Sequence, residues 1–363
     1  DEDPWLEPYH QDIEDRIIRF EKALNIITIH SDSIEQFASA YDYYGIHFDK
    51  NANGWWYREW APNAHQLSLV GDFNNWDKEA NKLTKKNNGD WELFLPFDAY
   101  KTSFLHKSFV KVHVISEIGA LDRIPAYSTR VIQDSLNRDF STQLWFPEAE
   151  YQWKNAYDPT KLKALVIYES HVGIAQETEG VGTYMEFADN TLPRIKALGY
   201  TAIQLMAVME HPYYGSFGYH VSNFFAPSSR FGTPEELKYL IDKAHGMGIA
   251  VIMDIVHSHA VKNISEGLNK FDGTEFQYFH DGVKGDHDKW DSKVFDYGKW
   301  EVKRFLLSNV KYWLEEFHFD GFRFDGITSM LYHHKGYTTF DHYDKYFKND
   351  IDWDALVYLQ LAN

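Results

Sequence analysis

Arg323 and Asp325 stand two apart in the apolar run from Gly321 to Ile327. In a strand that spacing puts both on one face, with Phe322 and Phe324 turned the other way into packing. A fixed guanidinium favours the charged form of a neighbouring carboxylate, which suits a nucleophile. An isolated Arg-x-Asp is more often a structural ion pair, so the pair gains meaning only from its company.

That company is a second polar cluster, Asp254-Ile255-Val256-His257-Ser258-His259, at the end of another apolar run. Strand ends are where a parallel β/α barrel builds its active site. His257 and His259 lack the third ligand that a HExxH pattern would supply, so no metal is expected; histidines hydrogen-bonded to loop backbone are the plainer alternative. The loop from Glu210 to His220 adds His211, Tyr214 and Tyr219, rings that can stack on a sugar or simply close the top of a barrel. Gly218 frees space beside Tyr219, which gives that ring the stronger claim. A long stretch from His280 to Trp300 contributes His287, Trp290, Tyr297 and Trp300 near the same rim.

Three kinds of element must position these groups. Ile13, Ile17, Phe20 and Leu24 recur as one stripe of an amphipathic helix, and Ser33 with Gln36 reads as the cap of a second, whose stripe is Ile34, Phe37 and Tyr41. From Asn51 to Phe146 the pattern is short strands between Asn, Gly and Asp turns: Trp55 to Trp60, Gln66 to Phe73, Trp91 to Pro96 and Phe109 to Ile115. That is an all-β module of sandwich size. Trp76 falls in its polar turn Gly71-Asp72-Phe73-Asn74-Asn75-Trp76, where a buried ring is less expected, whereas Trp60 and Trp91 lie within strands. Then come apolar runs at Ala164 to Tyr168, Thr201 to Met206, Ile249 to Val256 and Gly321 to Ile327, separated by helical segments such as the one opened by Thr233-Pro234-Glu235-Glu236. No Gly-rich phosphate loop follows any of these runs, which favours half a barrel over an open nucleotide-binding sheet.

The 363 residues suit two or three domains, and 44% hydrophobic against 25% charged is the balance of a packed protein. A net charge of −18 disfavours nucleic acid and anionic membrane as partners. Zero cysteine excludes disulfides, Cys-ligated metal and cysteine nucleophiles, and with no secretory signal the expected location is cytoplasmic. Aromatic residues reach 17%; most must be core, but such rings also suit the apolar faces of sugars.

Taken together the segments resemble the α-amylase superfamily, glycoside hydrolase family 13, and within it the eukaryotic branching-enzyme family. Asp254 to His259 and Gly321 to Met330 are similar to its signature strands, and Tyr214 to Phe225 to the branching-type loop. Trp60-Ala61-Pro62 with Gly71 to Trp76 resembles the preceding carbohydrate-binding module of family 48. The resemblance implies a helical segment over 1–40, a β-sandwich over 41–150, and over 151–363 about the first four units of a TIM-type (β/α)8 barrel.

It further implies Asp325 as nucleophile, Arg323 as its electrostatic partner, Asp254 as the group that orders the site, and His259 and Tyr219 as sugar contacts, with His211 and Tyr214 on the same loop. Trp60, Trp76, Lys111 and the turn from Asn87 to Asp90 would touch glucan on the module, and Glu301 and Arg304 would do so from a barrel helix. The implied chemistry is retaining transglycosylation of an α-1,4-glucan such as glycogen onto a 6-hydroxyl, in glycogen biosynthesis, without metal or organic cofactor. Other enzymes of glycogen synthesis are further partners it suggests. The family's acid Glu and transition-state-stabilising Asp belong to later strands, so a chain ending at Asn363 is expected to be inactive alone. A noncatalytic glucan-binding scaffold and a hydrolytic or debranching enzyme are the competing readings.

Overall fold

A computed structural model describes residues 3–162, 164–347 and 350–363. Its first long element, α1 (His10–Ser31), follows a 3-10 turn capped by Asp3. Phe20, Ala23, Leu24 and Ile27 face inward on α1. Ile17, placed in the stripe from sequence, lies at its edge and is 51% exposed, while Ile27 one turn beyond the expected stripe is buried. The Ser33 hydroxyl caps α2 (Ile34–Phe37) by accepting from the Gln36 amide at 3.1 Å. This helix is a single turn, and Tyr41 falls in a separate 3-10 turn.

Two antiparallel sheets form the β module. One orders β1 (Gly45–Asp49), β2 (Gly54–Trp60), β5 (Asp90–Pro96) and the short β4 (Thr84–Lys85) side by side. The other orders β3 (Gln66–Gly71), β6 (Phe109–Ser116), β9 (Phe140–Gln143) and β8 (Val131–Gln133), with β7 (Gly119–Arg123) on β6, and α3 (Phe97–Tyr100) follows β5. Alternating residues such as Trp55, Tyr57, Leu67, Leu69, Val110 and Val112 fill the space between the sheets. The expected sandwich is therefore present, and it begins with β1, a strand that the sequence pattern did not reveal.

A third sheet is fully parallel, with β10 (Ile167–Ser170), β11 (Ala202–Leu205), β14 (Ala250–Ile255) and β18 (Gly321–Phe324) adjacent in chain order. β10 begins three residues later than the apolar run from Ala164 indicates. Helices fill each crossover: α4 (Tyr184–Glu186) running through a π turn into α5 (Leu192–Ala197), then α6 (Pro234–Gly246), then α7 (Trp300–Phe317). The Thr233 and Glu236 side chains form the capping box of α6. Neighbours in chain order with no reversal are the winding of a barrel, not of a doubly wound sheet. After β18 come α8 (Ile327–Leu331), α9 (Asp344–Phe347) and α10 (Trp353–Ala362).

Two small antiparallel pairings lie over the strand ends, β12 (Met209–Glu210) with β13 (Asn223–Pro227), and β17 (Ser292–Lys293) between β15 (Ala260–Val261) and β16 (Asp286–His287). The module and the parallel sheet share one core: Tyr127 stacks on Phe225 at 4.8 Å, and the buried Arg123 donates to the carbonyls of Gly267, Asn269 and Lys270. No helix among the described residues is long and apolar enough to cross a membrane.

Candidate active site

Asp254, Tyr219, Arg323 and Asp325 converge at the C-terminal ends of β14 and β18, joined by Gln204 of β11. Asp254 on β14 is paired in register with Arg323 on β18, so the two side chains meet across neighbouring strands. Arg323 Nη1 donates to Asp254 Oδ2 at 3.1 Å and to Asp325 Oδ1 at 2.8 Å. Asp254 is wholly buried and receives two further bonds, from the Tyr219 hydroxyl at 2.6 Å and from Gln204 Nε2 at 2.8 Å. Asp254 is thus an anchor for the guanidinium, and Asp325, whose side chain is 19% exposed, is the carboxylate of the two that solvent reaches.

Glycines set the backbone at two points. Gly218 has φ +90°, and a Cβ there would meet the Ala207 carbonyl oxygen at 1.9 Å, so only glycine lets the loop lie flat enough to aim Tyr219 at Asp254. Gly326, with φ +66°, turns the chain immediately after Asp325, and a Cβ there would meet Ser258 Oγ at 2.6 Å.

Burial raises the Asp325 pKa, and Arg323 pulls against it. The Arg-x-Asp spacing predicts that the guanidinium dominates; desolvation, invisible in a linear pattern, wins instead. Asp254 is likewise raised by burial, opposed by Tyr219 and Arg323. Burial lowers Arg323 too, but the two carboxylates outweigh it and raise its pKa.

His259 is buried with both ring nitrogens engaged, Nδ1 by the Ser258 hydroxyl and Nε2 by the Tyr219 carbonyl, each at 2.8 Å. No ring nitrogen is left for a sugar, so in this arrangement His259 braces Tyr219. Burial holds its pKa down at about 3, so the ring is neutral. His257 is interior, bonded to Tyr358 and Asn309. His211 is also interior: its Nδ1 meets the Met209 carbonyl, its Nε2 is buried without a partner, and it does not reach the opening. Tyr214 is half-buried, edge-on to His171 at 5.8 Å. Among the described residues no group of three or more His, Cys, Asp or Glu could hold a metal.

An opening of about 600 Å³ beside Arg323 and Gly326 is lined also by His287, Trp290, Lys335 and Tyr337. Trp290 stacks on His287 at 4.1 Å and lies 5.0 Å from the His259 ring, presenting an aromatic wall next to Gly326, the residue after Asp325. Of the other rings expected on this stretch, Tyr297 is buried and donates to the His257 carbonyl, and Trp300 opens α7.

The module residues separate into two places. Trp76 and Lys111 line one cleft of about 280 Å³, closed by Asp134, Asn137, Asp139 and Ser141. Trp76 has φ +61°, a left-handed backbone that is an outlier for a bulky residue, and its ring stays 38% exposed with Nε1 on Asp72 at 3.2 Å. Trp60 is elsewhere, on the other sheet, edge-on to Tyr278 and opposite Asp90 in the β2–β5 register. Arg304 lies over the Tyr44 ring at 5.4 Å and 3.5 Å from Glu301, and the Tyr44 hydroxyl donates to Asp90 at 2.7 Å. Trp60, Asp90, Glu301 and Arg304 therefore meet at the seam between module and barrel, with Asn87 on the exposed turn beside them. Asp90 is a correction: it is buried with Oδ1 taken by Tyr44 and Oδ2 by Asn88, so its carboxylate is structural.

Gln204 and Ser258 were not singled out from sequence. A lone Gln inside the apolar run Thr201 to Met206 was the available signal, since a polar side chain in a buried strand needs a partner. The wall from Asp134 to Ser141 gave none, because it belongs to the β8–β9 turn that the pattern did not resolve.

Residues 43–128 match the family model "Carbohydrate-binding module 48 (Isoamylase N-terminal domain)", and residues 177–286 match "Alpha amylase, catalytic domain". A 1,4-alpha-glucan-branching enzyme of Dictyostelium discoideum is 49% identical over 364 residues, covering 100% of this chain and 53% of its own length. One from Aspergillus oryzae is 50% identical over 366 residues, covering 99% of this chain and 53% of its own. The chain spans about half the length of the curated relatives it matches. Among solved structures, the catalytic module of the pneumococcal glycogen-degrading virulence factor SpuA superposes with a TM-score of 0.65 at 20% identity, over 82% of this chain and 48% of its own. A group B Streptococcus pullulanase in complex with maltotetraose gives 0.64 at 19%, over 79% and 42%. At those identities the two structures speak for the fold.

Proposed function

We propose, from the premise that this chain belongs to the α-amylase superfamily and within it to the 1,4-α-glucan branching enzymes, that it provides the nucleophile side of a retaining transglycosylase together with an α-glucan-binding module. The observation that carries the reading is the relay Tyr219 and Gln204 to Asp254, Asp254 to Arg323, Arg323 to Asp325. Arg323 and the Gly326 backbone both hold the Asp325 carboxylate, so the nucleophile is oriented before a sugar arrives.

In the proposed reaction an Asp325 oxygen attacks the anomeric carbon of an α-1,4-linked glucose, the bond to the departing 4-oxygen breaks, and that oxygen takes a proton from a carboxylic acid. A 6-hydroxyl of glucan then attacks the glycosyl ester, returns its proton to that acid, and frees Asp325, leaving an α-1,6 branch. Arg323 keeps Asp325 oriented throughout and answers its changing charge. We place the acid in the part of the relatives' length that this chain does not match. Trp290 walls the sugar side of the cleft, and Trp76 with Lys111 holds a second stretch of glucan on the module.

The division at 40 and 150, closure of the four parallel strands into an eight-stranded barrel, a cytoplasmic location and a place in glycogen biosynthesis belong to the same proposal. So does association with other enzymes of glycogen synthesis. Amylose incubated with the full-length natural protein should gain α-1,6 linkages, read by proton NMR, with reducing ends nearly constant. Rising reducing ends without new α-1,6 signals would instead identify a hydrolase, and binding without either change a scaffold.

A further inference from the structure

A groove on the outer side of the helical layer, away from the cleft of Asp325, carries a combination of groups that the glucan chemistry does not use. It has a volume of about 190 Å³ and is lined by Arg19, Lys22 and Ile26 of α1, Trp300 and Lys303 of α7, and Trp353 of α10. Two indole rings and an isoleucine give it apolar walls of the size of one hexose, and three cations stand around them.

In a chain of net charge −18 such a cluster stands out, and its charges are not spent internally. Among the described residues, the side chains of Arg19, Lys22 and Lys303 form no hydrogen bond or ion pair. The one carboxylate on the groove, Asp354, acts on Lys303 only through space, as does Asp296 outside it. Arg19 lies over the Trp353 ring at 4.8 Å. A guanidinium stacked in this way keeps its N–H edge free, the geometry that grips a phosphate with two parallel bonds. Lys22 is one helical turn further along α1, on the same side.

The backbone adds to this field. Trp300 and Lys303 occupy the first turn of the 18-residue α7, and Trp353 opens the 10-residue α10, so the positive ends of two helix dipoles border the groove. A purely aromatic groove would suit a neutral sugar, and a purely cationic one a free anion. Here the apolar walls and the cations are interleaved.

We propose that this groove binds a phosphorylated hexose, with Arg19, Lys22 and Lys303 on the phosphate and Trp300, Ile26 and Trp353 against the sugar ring. Two sources share that chemistry, a free hexose monophosphate and a phosphate ester carried on a glucan chain. The site is separate from the catalytic reading and stands or falls without it.

The test is titration of the full-length natural protein with glucose 6-phosphate, followed by calorimetry and by tryptophan fluorescence, since two of the walls are indoles. Saturable binding is expected, tighter than that of glucose or inorganic phosphate by tenfold or more and weakened by added salt. Lys303→Met and Arg19→Gln should each reduce affinity at least tenfold while melting within a few degrees of the parent and leaving branching of amylose unchanged. A phosphorylated maltooligosaccharide that binds as tightly as glucose 6-phosphate would assign the site to chain-borne phosphate, and one that binds much more weakly to the free monophosphate. Affinity equal to that of inorganic phosphate, or unchanged in both folded variants, would overturn the proposal.

Discussion

A single nitrogen, Arg323 Nη1, bonds both Asp254 and Asp325, at 3.1 Å and 2.8 Å. Asp254 is buried and fixed, so the position of the outward carboxylate is inherited from the strand pairing of β14 and β18. A lysine has the charge, but its freely rotating ammonium lacks the fixed in-plane N–H directions with which Nη1 holds two carboxylates. Arg323→Lys in the full-length protein should therefore lower kcat for branching by about 100-fold or more, with KM for amylose changed far less. Steady-state kinetics check this, and a fall confined to KM would contradict it.

Tyr219 donates its hydroxyl to a wholly buried carboxylate. Tyr219→Phe keeps the ring but removes a charge-assisted bond, and should destabilise the fold by about 1.5–3 kcal/mol. Urea denaturation with an unchanged slope measures the loss; a shift within 0.5 kcal/mol, roughly the level of an inert surface change, would mean that Asp254 does not depend on this bond.

Glu59 is completely buried between the module sheets and the seam, and burial pushes its pKa up to about 7. The folded protein therefore holds this proton at a pH where the unfolded chain, near the ordinary glutamate value, has lost it. Its contribution to stability is intact below the unfolded pKa and is lost as pH rises through about 7. Glu59→Gln, which cannot ionise, should gain on the parent protein between pH 5 and pH 7.5, by up to about 1.4 kcal/mol per pH unit. Denaturation midpoints at the two pH values decide it, and a difference independent of pH would refute the assignment.

Trp76 and Lys111 share a cleft that Trp60 does not enter. Trp76→Ala and Lys111→Met should each weaken maltoheptaose binding to the module roughly tenfold, or about 1.4 kcal/mol, with little change in melting temperature. Affinity gel electrophoresis on glycogen reads the effect, and equal mobility of parent and variants would remove the cleft from the account.

Much of this was legible in the sequence because it is local. Period-two spacing identified Arg323 and Asp325 as neighbours on one face, turn residues bounded the strands from Trp55 onward, and Thr233 with Glu236 marked a helix start that the structure places at Pro234. What escaped was set by tertiary packing. The engagement of both His259 nitrogens depends on the Tyr219 carbonyl forty residues away. The burial of Asp90 depends on Tyr44, from a strand-end turn that the pattern did not resolve. Net desolvation of Asp325 depends on how several loops cover it, which no spacing encodes. Ile17 shows the converse, a residue with the right period whose face has no neighbour to bury it.

The central claim is that Asp325 forms the glycosyl ester. The most direct test is to trap that ester with a 5-fluoro maltosyl fluoride on the full-length protein and to map the labelled peptide by mass spectrometry. The account predicts one added 5-fluoromaltosyl mass on the peptide containing Asp325, with the anomeric fluoride lost, and its absence in Asp325→Asn. A label on any other carboxylate, or unimpaired branching by Asp325→Asn, would contradict it.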